Sequence, residues 1–379
     1  MYKFKAQQIA EWDTLTNVVL SSPSTEVAYA QLAPVENLYD DFIDLNSAEE
    51  QHQKLLDALK SEGIKAFSLK ELLEKSDSFR DYIYTKIKEV YEHSHYPYGK
   101  RVSSALRKVV KRYPMHTLWS LAMIQPRKLE ISMPSDRRKA RSFISVHSLG
   151  NLFYMRDQQI VTDKGLVMGN MKMPARAGES ELTELGFESL GIKPIYRMKN
   201  TIEGGDFIPA GDRAFLGMGY RNSSASINEL LKSGSLGYNE IVVVKQPSTQ
   251  ETMHLDTYFN IADEHIIAGD GKILRKSICT VFKKNEQGSY SVEKKLSFMN
   301  YLKSIGMNIA EVDLKKERFS TNFLTLKRSR ILMPDNDHLH GVIRRYESLG
   351  IDVIPISVND LLSGYGGVHC MTAVVNRRS

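Results

Sequence analysis

The chain is poor in thiols: its 379 residues include two cysteines, Cys279 and Cys370. Two cysteines cannot form the disulfide framework of a small secreted domain, and a reducing cytoplasm is the expected location. Long apolar runs are also missing. None approaches the about eighteen residues that suggest a membrane-spanning helix, so no membrane partner is expected. The first stretch, MYKFKAQQIAEWDTL, lacks the apolar centre of a secretory leader, and none is expected. Neither sign of charge dominates: 51 Lys and Arg stand against 45 Asp and Glu, a net +6. That mild excess reads as a solvated, mixed-charge surface, and no nucleic-acid motif accompanies it. His254, Asp256, His369 and Cys370 lack the spacing of a zinc motif, so no metal is expected.

What is present begins with a repeat. The hydrophobic fraction of 42% and charged fraction of 25% are those of a globular protein large enough to bury a substantial core. Five places share an amphipathic segment, a glycine and then a β-rich run: SEGIKAFSL at Gly63, LGIKPIYRM at Gly191, LGYNEIVVV at Gly237, IGMNIAEVDL at Gly306 and LGIDVIPIS at Gly350. Glycine just past a helix end takes a left-handed cap conformation, and the apolar run after it reads as a strand. In HGVIRRYESLG, Val342, Ile343, Tyr346 and Leu349 share one helical face. Recurring helix–glycine–strand joints point to repeated β/α units around a pseudo-symmetry axis or, as plausibly on pattern alone, to an ordinary α/β sandwich. The interval from Gly63 to Gly191 is anomalously long, and its middle reads as helix. Phe79, Ile83, Ile87, Val90 and Tyr91 form one stripe, and Val102, Leu106, Val109, Val110 and Tyr113 another. Residues 72–130 are therefore expected to be a helical module inserted in the first repeat.

Several stretches carry chemistry. Cys370 lies in GYGGVHCMTAV, after glycines and next to His369. It reads either as a small buried hydrophobe or as a nucleophile on a glycine-shaped turn, which would need a base elsewhere in the chain. NTIEGGDFIPAGDRAFLGMGYR carries Glu203, Asp206 and Arg221; its acid–Gly–Gly–acid core could be a simple hairpin turn. TMHLDTYFNI carries His254 and Asp256, two apart, which a strand would point to one face. NLFYMRDQQIV carries Asn151 and Asp157, with Arg176 following in MPARAGES. Arg156 beside Asp157 reads as a surface pair of little value. A thiol, an imidazole and a surplus of carboxylates describe a site that attracts a cation and attacks it.

The combination IEGGD, MHLDT and GGVHCMT, in that order across the chain, resembles the arginine deiminases, members of the guanidino-group-modifying enzymes. The resemblance extends to the strand in NVVLSSP and to a helical insertion. It implies an α/β fold of the pentein type: a five-bladed α/β propeller of pseudo-repeated ββαβ units, one glycine joint per blade, forming a single catalytic domain over 1–379. It implies hydrolysis of L-arginine to L-citrulline and ammonia through a covalent thiouronium on cysteine, with no cofactor. By position, Cys370 would be the nucleophile, His254 the general acid and base, and Glu203 its support. Asp157 and Asp256 would hold the guanidinium, while Arg176, Arg221 and Asn151 would hold the α-carboxylate end. Its partner is the small molecule L-arginine, and a homo-oligomer is the expected assembly. Rival activities within the superfamily are amidinotransferase and arginine dihydrolase; outside catalysis the rival is an arginine-binding protein. Two departures stand out. The family often has Arg-Gly-Gly-Gly before His-Cys where this chain has Tyr365, Gly366, Gly367 and Val368, and Ala177 follows Arg176 in place of a polar residue.

Overall fold

Five sheets repeat one plan among the described residues of the computed structural model, which are 4–92, 100–132 and 140–378. In each, a middle strand pairs antiparallel with one neighbour and parallel with the other. Thr14–Leu20 lies between Ala373–Arg378 and Lys65–Ser68. Leu166–Met168 lies between Gln159–Val161 and Tyr196–Arg197. Arg213–Met218 lies between Phe207–Ala210 and Glu240–Lys245. Ile266–Asp270 lies between Phe259–Asp263 and Asn308–Val312, and Arg330–Pro334 between Leu324–Lys327 and Asp352–Ile356. The third sheet is extended by Ile278–Lys284 and Tyr290–Ser297. In the first sheet the C-terminal strand joins the N-terminal one, so a unit is completed by the two ends of the described chain. The architecture is mixed α/β.

A helix precedes each parallel edge strand: Leu45–Ser61, Glu179–Ser189, Ser224–Lys232, Phe298–Ser304 and His340–Ser348. The glycines past them carry the turn back to the sheet. Gly63, Gly191, Gly306 and Gly350 sit at φ of +76°, +80°, +78° and +83°, a left-handed geometry that costs a residue with a Cβ about 1–2 kcal/mol. The third joint differs from the expected one. Its helix ends at Lys232 and the left-handed residue just past it is Gly234, with Gly237 left-handed in the connecting loop. A Cβ at Gly237 would meet the Asp163 side chain at 2.9 Å.

The helices bury the faces their sequences announce. In Leu45–Ser61, capped by the Asp44 carboxylate on the Ser47 N–H, Ala48, Gln51, His52, Leu55 and Leu59 are buried. Leu55 and Leu59 pack with Leu324 and Leu332 of the fifth sheet, each worth about 1.5–3 kcal/mol of burial. In His340–Ser348, Val342 and Tyr346 are fully buried while Ile343 and Leu349 flank them.

Between the first and second sheets the chain forms the helices Leu69–Glu74, Asp77–Glu92, Lys100–Arg112 and Met115–Met123. Phe79, Ile83 and Val110 enter the core beside Leu118 and Met168, with Ile87, Leu106 and Tyr113 packed against it. Val109 turns outward and is 45% exposed, because consecutive helical residues diverge by about 100° and Val110 takes the buried position. The side chains of Val90, Tyr91 and Val102 lie outside the described set. Helix gives way at Ile124 to a hairpin of Ile124–Ser132 and Ala140–Ser148, so 124–130 is strand rather than helix. No helix is long and apolar enough to cross a membrane among the described residues.

Candidate active site

The same point recurs in every repeat: the few residues that enter its antiparallel edge strand. Asp157 precedes Gln159–Val161; Glu203 and Asp206 precede Phe207–Ala210; His254 and Asp256 precede Phe259–Asp263; Asn322 precedes Leu324–Lys327; Cys370 precedes Ala373–Arg378. Asp157, His254 and Cys370 line one small pocket, and hydrogen bonds tie Glu203, Asp256 and Asn322 to that set. The two arginines share a second recurring position, between the middle strand and the helix: Arg176 after Leu166–Met168 and Arg221 after Arg213–Met218. Both line the pocket, as does Asn151.

Neither acid-bearing stretch has the local form expected of it. His254 and Asp256 are not on a strand: Leu255–Thr257 is a single 3₁₀ turn, which still delivers both side chains to the centre. Gly204–Asp206 is likewise a 3₁₀ turn rather than a hairpin. Close packing explains the glycine pair there. A Cβ on Gly204 would meet the Gln159 carbonyl oxygen at 2.1 Å, and one on Gly205 would meet His254 Nδ1 at 2.8 Å. Nor is Arg156 on the surface: it is buried and donates to the His369 carbonyl and to Thr372 Oγ1, behind the cysteine.

His254 is held from both ring nitrogens. Nε2 meets Glu203 Oε2 at 2.7 Å, and Nδ1 lies 3.5 Å from Asp157 Oδ1. Burial disfavours its charge, but Asp157 and Glu203 outweigh that and raise its pKa to about 9. Glu203 is itself fastened by the Lys172 N–H at 2.8 Å. Asp206, whose role the sequence left open, ties this region together: it accepts from the Leu255 N–H, Asn222 Nδ2 and Gln246 Nε2. Burial lifts its pKa to about 7.

Cys370 Sγ lies 3.4 Å from Asp256 Oδ2 and receives Asn322 Nδ2 at 3.1 Å. Burial first, then the charges of Asp256 and Asp157, hold its thiol well above the usual range. Asp256 is the reverse case: burial is overcome by His369, whose Nδ1 is 2.7 Å away, and its pKa is lowered. The second Asp256 oxygen, Oδ1, is buried without a hydrogen-bond partner. Cys279 is buried in a strand of the third sheet, away from all of this.

The arginines differ. Arg176 is taken up by protein: Nη1 meets Asp157 Oδ2 at 2.5 Å, Nε meets Glu179 Oε2 at 3.0 Å and Nη2 meets the Tyr154 carbonyl at 3.1 Å. Arg221 reaches Gln250 Oε1 and Met253 Sδ through Nη2, while Nε and Nη1 have no hydrogen-bond partner although the residue is 1% exposed. Its nearest carboxylate, Glu203, is 3.8 Å from Nε. Asn151 donates to the Asn37 carbonyl at 2.7 Å. Of the pocket's arginines and the aspartate beside its thiol, Arg221 therefore keeps two buried donors without a hydrogen bond and Asp256 one acceptor, as Glu179 does with Oε1 behind Arg176.

The pocket is nearly shut. Its cavity is about 20 Å³, room for a water and not for an amino acid. Leu38 and Tyr365 are among its lining residues, and both adopt left-handed backbone, φ 65° and 71°, a strain of the kind that clusters at active sites and ligand clamps. A wider cavity of about 830 Å³ adjoins it, sharing Thr257 and Tyr365, but neither thiol nor imidazole lines it. Space and chemistry are separate here, and the chemistry marks the site. Asp157, Glu203 and His254 also place three potential ligand atoms within 4.8 Å of one another. Within that set Glu203 and His254 are bonded to each other and Asp157 accepts from Arg176.

Sequence reasoning missed Asn322 and the partners of His369. Asn322 was findable from the repeat, since it holds the strand-entry position of the fifth unit.

Comparisons with known proteins bear on the family and the fold. The family described as "Arginine deiminase" matches residues 36–377. The arginine deiminase of Halobacterium salinarum is 24% identical, over 98% of this chain and 97% of its own length. That of Oenococcus oeni is also 24% identical, over 97% and 96%. Among solved structures, the N-terminal domain of ArgZ, an arginine dihydrolase of cyanobacteria, superposes at a TM-score of 0.60 and 13% identity, covering 97% of this chain and 99% of that one. DDAH from Pseudomonas aeruginosa, in complex with citrulline, gives 0.55 at 15% identity, over 95% and 98%. The structural likenesses establish a shared fold, and the family match over most of its length establishes that the chain belongs to the arginine deiminase family.

Proposed function

We propose that the protein hydrolyses L-arginine to L-citrulline and ammonia, with Cys370 as nucleophile. The observation that carries this is a buried thiol set between carboxylates, beside an imidazole held on its own carboxylate. A guanidinium is permanently charged and resonance-stabilised, so it must be oriented and attacked by something stronger than water. Asp157 and Asp256 grip its edges with charge-assisted bonds, and the unpartnered Asp256 Oδ1 supports this assignment. The arriving cation offsets the field that keeps the thiol protonated. The thiol proton is lost to solvent water and the Cys370 thiolate adds to the guanidino carbon. His254, charged at neutral pH, protonates the departing nitrogen, which leaves as ammonia, and a thiouronium remains on sulfur. Neutral His254 takes a proton from water, whose oxygen adds to the same carbon; the C–S bond then breaks as the hydroxyl proton passes to the departing sulfur, releasing citrulline and the Cys370 thiol and leaving His254 charged again.

Arg221 binds the substrate α-carboxylate through its unpartnered Nε and Nη1. Arg176 occupies Asp157 in the closed pocket, so substrate must displace that contact before Arg176 can serve the carboxylate, with Asn151 alongside. Opening of Leu38 and Tyr365 precedes binding. The five like sheets support a five-bladed propeller with the active site at its shared end, one catalytic domain with 72–130 as an insertion. Cytoplasmic location and a homo-oligomeric state belong to the same proposal. Incubation with arginine decides the chemistry: citrulline and ammonia in equal amounts support it. Ornithine with twice the ammonia makes the protein a dihydrolase, and no turnover makes it a binding protein.

A further inference from the structure

Behind the nucleophile runs a buried chain of charges that the reaction above does not use. His369, the residue before Cys370, is fully buried. Its Nδ1 lies 2.7 Å from Asp256 Oδ2 and its Nε2 lies 3.2 Å from Glu11 Oε1. Glu11 comes from the other end of the chain and is 0% exposed. Arg377 Nη2 donates to the same Glu11 oxygen at 2.8 Å, and Gln8 donates to its other oxygen. Ionised carboxylates only accept hydrogen bonds, so a ring facing one on each side needs a proton on both nitrogens.

We propose that Glu11 is a positioning residue that acts through His369, keeping that ring doubly protonated so that it holds Asp256 ionised, with Oδ1 aimed at the substrate guanidinium. Three observations fit together. Glu11 is held far below the usual carboxylate range: burial opposes this, and Arg377 and then His369 overcome it. Asp256 owes its own lowered value first to His369 among the groups that favour its charge. His369 also sets the backbone of the nucleophile turn, its N–H donating to the Asn322 carbonyl and its carbonyl accepting from Arg156 Nε. The charged groups around the ring are Asp256 and Glu11 in contact, Arg377, Asp13 and Arg156 beyond them, and His254 on the far side of Asp256. The ring is thus a buried cation between two anions, adjoining the thiol that must become an anion.

This inference rests on the arginine-hydrolase reading only for its kinetic arm. The test uses protein labelled in its histidine ring nitrogens, with His369→Gln to assign the signal. The parent should show His369 with both nitrogens protonated at the pH of the assay, and Glu11→Gln should lose one of those protons. For arginine, His369→Gln should lower kcat/KM at least about tenfold. Glu11→Gln should lower kcat/KM by no more than His369→Gln does, and should cost nothing more in the His369→Gln background. A ring that is neutral in the parent, or single losses that simply multiply in the double variant, overturns the proposal. Should Glu11→Gln fail to fold, the ring state in the parent and the kinetics of His369→Gln still decide. Should the ring behave as stated in a protein that leaves arginine untouched, the arginine-hydrolase reading fails and not this one.

Discussion

Removing Arg221 probes the end of the substrate that does not react. Two of its nitrogens are buried without hydrogen bonds, and a charge-assisted hydrogen bond contributes about 1.5–3 kcal/mol. Two such bonds to a carboxylate would give about 3–6 kcal/mol. Glu203, 3.8 Å from Nε, already offsets part of the charge, so the lower end applies, about 3 kcal/mol or roughly 150-fold in kcat/KM. Agmatine, which is arginine without its carboxylate, cannot collect this term and leaves the cation unpaired. The parent should therefore prefer arginine by about that factor. Arg221→Ala should cost arginine most of it and leave agmatine turnover similar or improved. The assay is kcat/KM for both substrates on both proteins. If the arginine-to-agmatine ratio is unchanged by the substitution, Arg221 does not bind the carboxylate and the reasoning from its orphaned nitrogens is wrong.

Three further outcomes follow from the same geometry. His254→Ala should cost more rate than Glu203→Gln, because one removes the proton carrier and the other its orientation; equal losses in kcat would contradict that division. Gly205→Ala should lower kcat about 100-fold with a smaller change in KM, since the added Cβ would lie 2.8 Å from His254 Nδ1 and 3.0 Å from Asp157 Oδ1; parental kcat would show the ring's placement to be unimportant. For stability, the folded pKa of His254 is raised to about 9 from an unfolded value near about 6.5. Its contribution is complete below that unfolded value and is lost as pH rises through about 9. Tm measured across this window should fall in the parent and fall less in His254→Gln; parallel curves would refute the assignment.

The parts of the molecule that were legible in its sequence are those where one residue type is required locally. Four glycine joints appear as read because a left-handed cap past a helix excludes most side chains. The third was misplaced by three residues, since SGSLG offers two glycines and nothing local says which one ends the helix. Helices between residues 77 and 112 were readable from their apolar stripes, but a hairpin from Ile124 was not, because only residues 129–132 of its first strand alternate. The site was legible as a set of residues and not as a geometry. His254 and Asp256 reach the centre from a 3₁₀ turn, and the engagement of Arg176 by Asp157 and Glu179 depends on chain segments meeting in space. Glu11 and His369 are 358 residues apart in sequence and in contact in the fold, a pairing no local pattern announces. Tyr365 at φ 71° is a conformation that sequence would assign to glycine or asparagine, so the strain at the pocket's mouth could only be seen in the structure.

The central claim is that the buried thiol of Cys370 attacks the guanidino carbon. Rapid acid quenching of the protein during turnover of arginine, followed by peptide mass spectrometry, tests it most directly. The account predicts an adduct with the mass of arginine less ammonia on Cys370 and none on Cys279, and its disappearance in Cys370→Ala, which should still bind arginine. Citrulline formation by Cys370→Ala within about tenfold of the parent rate, or an adduct on Cys279 instead, would contradict it.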